Sequence, residues 1–281
     1  MAEQDGPIES GELDRREFFR MLGALTGGAA AVSALVPILE GGEPVAQVVP
    51  KDDARLETGY VKYSVEGGEF RAYRVRPKGV GKLPGVIVIH ENRGLNPHIE
   101  DVARRVALEG YEVIAPDALS LLGGTPANPD DARGLFGKLD AKSTARNFSA
   151  AVEYLKTGPQ ATGKVGCMGF CWGGGMTNQV AVNAPDLTAA VPFYGAQPAA
   201  EDVPRIKAAM LIHYAGDDAR INAGIPAFEE ALKKAGISYT IHTYEGAGHA
   251  FFNDTGARYN KDAAQLAWQR TIAFFNAKLK S

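Results

Sequence analysis

The chain has 281 residues, 45% of them hydrophobic, a length that suits one large α/β domain better than two small ones. Its 30 Lys and Arg against 33 Asp and Glu leave a formal net charge of −3, which gives no electrostatic footprint for nucleic acid or an anionic membrane. No internal repeat occurs. The two cysteines, Cys167 and Cys171, show neither CxxC nor a Cys/His metal spacing and flank one turn, so neither a zinc site nor a disulfide is expected.

The first fifty residues stand apart. Arg15–Arg16 is followed by Phe18 and then by residues 21–36, a weakly apolar run rich in Leu, Ala and Gly. This pattern resembles a twin-arginine export signal. The run is too short and too glycine-rich for a good spanning helix, so no stable membrane span is expected. Ala34 and Ala46 are both candidate cleavage ends. The expectation is a leader and linker over 1–50 and a folded domain over 51–281. Recognition by the twin-arginine machinery would export it already folded, to the periplasm or beyond.

Residues 61–65 and 70–75 alternate as strands, with Glu66–Gly67–Gly68 as their hairpin turn. Residues 83–90 are a continuous β-branched run and read as a buried parallel strand. The loop 91–97 follows. A helix is predicted over 97–109, with Ile99, Val102, Val106 and Ala107 on one face and Gly110 as its stop. A strand over 111–115 ends at Pro116–Asp117, and 119–129 reads as a Gly/Pro-rich loop. Further on come a helix over 143–155, a strand ending in Gly169-Phe170-Cys171-Trp172-Gly173, and a helix over 171–182. Strands at 187–194, 208–215 and 239–244 alternate with helices at 223–234 and 261–278. Strands alternating with helices imply a mostly parallel sheet covered on both faces, with its site at the carboxyl ends of the strands.

The Gly-x-Cys-x-Gly stretch is a strand, a sharp turn and a helix, the pattern of a nucleophile elbow with Cys171 at its tip. Flanking glycines let strand and helix approach each other and leave the sulfur open to substrate. The first N–H groups of the helix point at the reacting centre, which favours a thiolate and a developing oxyanion.

A thiol needs a base to react at neutral pH. His213 and His242 lie inside strands and read as structural, His98 sits in the first turn of a helix, and His90 ends a strand next to Glu91 and is a candidate wall of the site. His249 lies in the loop 246–251 after the last strand and is the candidate base. Between nucleophile and histidine, Gly216-Asp217-Asp218-Ala219-Arg220-Ile221 follows a strand. Asp218 is favoured as the orienting acid because Ile221 can anchor the loop in the core; Asp217 is the alternative. The order nucleophile, acid, histidine is that of the α/β-hydrolases.

With His90-Glu91-Asn92-Arg93-Gly94-Leu95, the elbow, the stretch 214–221 and Ala247-Gly248-His249-Ala250-Phe251, the chain resembles the dienelactone hydrolase (carboxymethylenebutenolidase) family over residues 55–280. The resemblance implies one α/β-hydrolase domain, no metal and no cofactor, and a Cys171–His249–Asp218 triad cleaving a small ester or lactone. It also implies that Glu91 gates the thiol, accepting its proton and swinging away as substrate binds. The oxyanion hole would be the backbone N–H groups of Trp172 and Asn92. Dienelactone-cleaving members carry arginines for the substrate carboxylate after the strand corresponding to 111–115 and after the histidine. Here those places read Ala118-Leu119-Ser120-Leu121-Leu122 and Ala250-Phe251-Phe252-Asn253. Arg93 is the substitute candidate, and Trp172, Tyr194, Leu121 and Phe251 are the expected walls of a more apolar pocket. Two other readings stay open: acyl transfer or thioester hydrolysis on the same residues, and a catalytically silent periplasmic binding protein.

Overall fold

The β-branched run Leu83–Ile89 forms strand β3, buried along its whole length, and Ala161–Phe170 forms β5 beside it in parallel. In the computed structural model, which describes residues 47–281, they are the middle strands of an eight-stranded sheet. The others are β1 (Leu56–Val65), β2 (Gly68–Pro77), β4 (Glu112–Pro116), β6 (Ala189–Phe193), β7 (Ala209–Asp217) and β8 (Tyr239–Gly248). Their spatial order is β1-β2-β4-β3-β5-β6-β7-β8. The hairpin β1–β2 and the pair β2–β4 are antiparallel, and every other neighbour is parallel.

The helices are α1 (Pro97–Leu108), α2 (Pro129–Phe136), α3 (Ala141–Lys156), α4 (Trp172–Asn183), α5 (Ala219–Asn222), α6 (Ile225–Ala235) and α7 (Lys261–Leu279). Strand alternation divides the core between the two faces of the sheet. Val86 and Val88 of β3 face one layer, with Ile99, Val102 and Val106 of α1 and Phe275 and Leu279 of α7. Ile87 and Ile89 face the other, with Phe148 and Val152 of α3, Val180 of α4 and Leu232 of α6. This is the α/β-hydrolase architecture, and it delivers the ends of β3, β5, β7 and β8 to one edge.

Several boundaries differ from the sequence expectation, each for a local reason. The stretch 119–129 contains a 3-10 turn at Ser120–Leu122, and α2 starts at its end: Asn128 caps α2 through its side chain, with Pro129 at the first position. The predicted helix 223–234 is α6, which starts two residues later at Ile225 with Pro226 in its first turn, and the short helix α5 (Ala219–Asn222), read from sequence as loop, precedes it. Strand β8 continues past 244 to Gly248, beyond an irregularity opposite Ala215/Asp217. Residues 246–248 are therefore strand rather than loop, and His249 stands immediately beyond the sheet.

The leader and its twin arginine lie outside the described residues. Residues 47–50, read from sequence as linker, are bound to the domain. The Asp101 carboxylate accepts from the N–H groups of Val48 (3.1 Å) and Val49 (2.8 Å), and Arg104 donates to the Val49 carbonyl (2.8 Å) and Gln47 Oε1 (3.0 Å). No helix among the described residues is long and apolar enough to cross a membrane.

Candidate active site

Cys171 is the residue between β5 and α4, with φ 56° and ψ −113°. Its N–H donates to the Phe193 carbonyl at the end of β6 (3.1 Å), which fixes the turn. The turn is so tight that side chains on its glycines would collide with backbone. A Cβ at Gly169 would lie 2.3 Å from the Gly173 oxygen, and one at Gly173 would lie 2.4 Å from the His90 oxygen. Among the described residues, the non-glycine residues with positive φ are Cys171, Tyr194 and Ala250, and all of them border this site. Strain concentrated in this way marks a place where geometry is imposed by surrounding structure.

The sulfur of Cys171 is 2.9 Å from His249 Nε2, and His249 Nδ1 is 2.5 Å from Asp218 Oδ2. The expected nucleophile, base and acid thus stand in one hydrogen-bonded line, drawn from the ends of β5, β8 and β7. Asp218 is buried and also accepts from the Ile221 N–H (3.4 Å), while Ile221 itself is core. Asp217 is exposed and takes no part. Burial and the neighbouring Glu91 push the Cys171 thiol up; the Trp172 N–H, Arg220 and Arg258 oppose them.

Glu91 is 8% exposed; its Oε2 accepts from Asn253 Nδ2 (2.8 Å), and its Oε1 has no partner. The sequence offered no reason to single out Asn253. His90 is not a wall of the cleft. It is fully buried and stacked on Trp172 at 5.6 Å, with Nδ1 2.7 Å from the Glu91 carbonyl and Nε2 accepting from the Ala118 N–H (3.1 Å). That pattern requires a neutral ring protonated at Nδ1, and burial pushes its pKa down accordingly. The loop bearing Glu91 and Asn92 is thereby tied to the end of β4. A second tie runs through buried Asp117, whose carboxylate accepts from Thr125, while Thr125 Oγ1 accepts from the Leu95 N–H (3.0 Å).

Two hollows meet at Cys171, Asn92, Arg220 and His249. One, about 380 Å³, is walled by Trp172, Met176, Tyr194 and Ile221. The other, about 550 Å³, is polar and includes Glu91, Arg93 and Asn253. Trp172, Asn92, Tyr194 and Arg93 thus border the site as expected, with Tyr194 5.1 Å from the His249 ring. Two expected walls do not. Leu121 is 43% exposed on the 3-10 turn, which carries it away from the cleft to lie over Gly67 and Gly68 of the hairpin. Phe251 is fully buried behind the site, between Tyr194 (5.3 Å) and Tyr244 (5.0 Å). Among the described residues no group of His, Cys, Asp and Glu is arranged to hold a metal ion.

A family model described as "Dienelactone hydrolase family" matches residues 70–279. The chain belongs to the dienelactone hydrolase family. It is 34% identical over 250 residues to "Putative carboxymethylenebutenolidase" of Saccharolobus solfataricus, covering 75% of this chain and 95% of the relative. Among solved structures, a "Putative Dienelactone Hydrolase" from Klebsiella pneumoniae superposes with a TM-score of 0.72 at 30% identity, covering 78% of this chain and 98% of that one. A dienelactone hydrolase-like promiscuous phosphotriesterase from metagenomic libraries superposes at 0.70 with 25% identity, covering 80% and 99%. These relationships make this family member a hydrolase of the ester or lactone type.

Proposed function

We propose that the protein cleaves a carboxylic ester or lactone by covalent catalysis at Cys171. The observation that carries this reading is the continuous line from sulfur through imidazole to carboxylate, 2.9 Å and then 2.5 Å, at a strained turn open to a cleft. The sulfur attacks the carbonyl carbon as its proton passes to His249 Nε2, and Asp218 supports the imidazolium. The oxyanion is received by the N–H groups of Trp172, first in α4, and of Asn92. Collapse breaks the C–O bond, His249 protonates the departing oxygen, and a thioester to Cys171 remains. A water that gives its proton to His249 then releases the acid and restores the thiol. Glu91 is the gate: its free Oε1 can receive the thiol proton in a resting arrangement, and Asn253 holds it while the thiol faces His249.

A panel of 4-nitrophenyl esters and small lactones tests the reading on wild type and Cys171→Ala. Turnover that disappears in the variant is expected, and turnover that persists would overturn it. The leader carries a second proposal, export by the twin-arginine route, supported by Arg15–Arg16, Phe18 and the run behind them. N-terminal sequencing of protein recovered from the periplasm tests it; an intact Met1 confined to the cytoplasm is the adverse result.

A further inference from the structure

The two hollows that meet at Cys171 differ in charge. The smaller has Arg220 at the shared edge and otherwise uncharged walls. The larger is lined by Arg93, Arg133, Arg220 and Arg258. These come from separate segments: the loop after β3, helix α2, helix α5 and the approach to α7. All of them are exposed, and among the described residues none pairs with a carboxylate. Among the described residues the other arginines are mostly spoken for. Arg74 pairs with Glu112, Arg105 with Asp254, Arg146 with Glu66 and Arg205 with Asp202, and Arg71 lies over the Tyr60 ring. Against the four guanidinium groups stands one carboxylate in the lining, Glu91, and one of its oxygens already belongs to Asn253. Asp130, Asp131 and Asp217, near in sequence, are exposed and do not line the cavity.

We infer that this cavity binds a dianionic group carried by the substrate, a phosphate or a pair of carboxylates, on Arg93, Arg133, Arg220 and Arg258. The inference rests on the hydrolase reading and adds the substrate's class. One carboxylate occupies one guanidinium fork. A phosphate, or two carboxylates, presents enough oxygens to engage two forks at once and offsets more of the local positive charge. Arg220 and Arg258 lie close enough to act on the Cys171 thiol, so an anion seated here stands next to the reacting bond. The uncharged hollow takes the other half of the ester. None of these arginines occupies the two places at which the dienelactone-cleaving pattern has them; at one of those places this chain has Asn253, which turns to Glu91 instead.

A length-matched ladder of probes tests this without assuming which half of the ester carries the charge. Hexanol, hexanoate, hexyl phosphate and butylmalonate are compared at pH 8 as competitive inhibitors of 4-nitrophenyl acetate hydrolysis. In parallel they are compared as protectors of Cys171 against iodoacetamide. The dianions should bind at least about tenfold more tightly than hexanoate at low ionic strength, with the advantage shrinking in 0.5 M NaCl. In Arg133→Gln/Arg258→Gln the ratio of dianion to hexanoate affinity should fall at least about fivefold. Hexyl phosphate ahead of butylmalonate identifies phosphate as the group, and the reverse order identifies paired carboxylates. A ladder flat within twofold, with 4-nitrophenyl acetate still turned over through Cys171, overturns the inference and leaves the hydrolase reading intact. Absence of ester turnover overturns that reading instead, and the protection assay still decides whether the dianion binds.

Discussion

Cys167 lies in the middle of β5 and Cys171 at its tip, on one continuous stretch of backbone. Both are free thiols, and burial pushes both upward. What separates them is what surrounds the sulfur. The Cys167 thiol donates to the Thr177 hydroxyl oxygen (3.7 Å), whose own proton goes to the Gly173 carbonyl (2.8 Å), and burial pushes the Cys167 pKa up to about 12. Cys171 meets an imidazole that can take its proton and a helix N-terminal N–H that favours the thiolate, and the charges of Arg220 and Arg258 favour the thiolate from farther off. The interior of a parallel strand protects a cysteine, and its carboxyl end is the only part of the strand that loops from several directions can reach.

The comparison breaks most visibly in turnover. Cys171→Ala should lower kcat/KM for 4-nitrophenyl acetate by at least about 10³-fold, and Cys167→Ala by no more than about twofold. A comparable loss in the second variant would put the reacting thiol in the wrong place. Asp218→Asn should cost about 10³-fold, since a carboxamide no longer supports the imidazolium, while the exposed Asp217→Asn should stay within about twofold. Steady-state kinetics on the pair decides between the two acids.

A finer contrast concerns titration. Glu91 is a negative charge that raises the Cys171 thiol, so in Glu91→Gln the pH profile of iodoacetamide labelling at Cys171 should move toward lower pH. Turnover should fall in the same variant if Glu91 gates the thiol; a labelling profile that moves to higher pH would contradict the electrostatics. The smallest effect is on stability. Cys167 stays protonated in the fold up to about pH 12, whereas the unfolded chain releases that proton above about 9. The unfolded state therefore loses its proton first, and the stabilisation tied to the neutral thiol is lost as pH rises, at about 1.4 kcal/mol per unit. Denaturation between pH 9 and 11 should show a shallower decline for Cys167→Ala than for wild type.

Much of this was legible in the sequence because it rests on local chemistry. The β-branched run of β3 can only be a doubly buried strand, and Gly169 and Gly173 announce a turn that tolerates no Cβ. The spacing of Asp218 to Ile221 reads correctly as a segment pinned in the core by Ile221, although it is the short helix α5 capped by Asp218 rather than a loop, and it separates Asp218 from its exposed neighbour. Leu121 and Phe251 were misplaced because an apolar side chain beside a motif fits the core as well as the cleft. Strand and turn geometry, not composition, decides which way it points. Helix α2 did leave a signal, Asn128-Pro129-Asp130-Asp131, a capping residue, a first-turn proline and two acids. It was lost among glycines and prolines that read as loop. The gathering of Arg133, Arg220 and Arg258 leaves no mark at all, because two helices and a loop from distant parts of the chain converge on it.

The clamp at Val48 and Val49 bears on how the polypeptide could be trimmed. A cut after Ala34 or after Ala46 spares both amides that Asp101 holds. Removing three more residues, through Val49, would strip that buried carboxylate of both backbone donors and leave Arg104 without its acceptors at Gln47 and Val49. Asp101 also grips Arg105, which reaches Asp254, the neighbour of the amide that steadies Glu91. Overzealous processing at the amino end would thus be felt by the chemistry through a relay of side chains, without any residue of the cleft being touched.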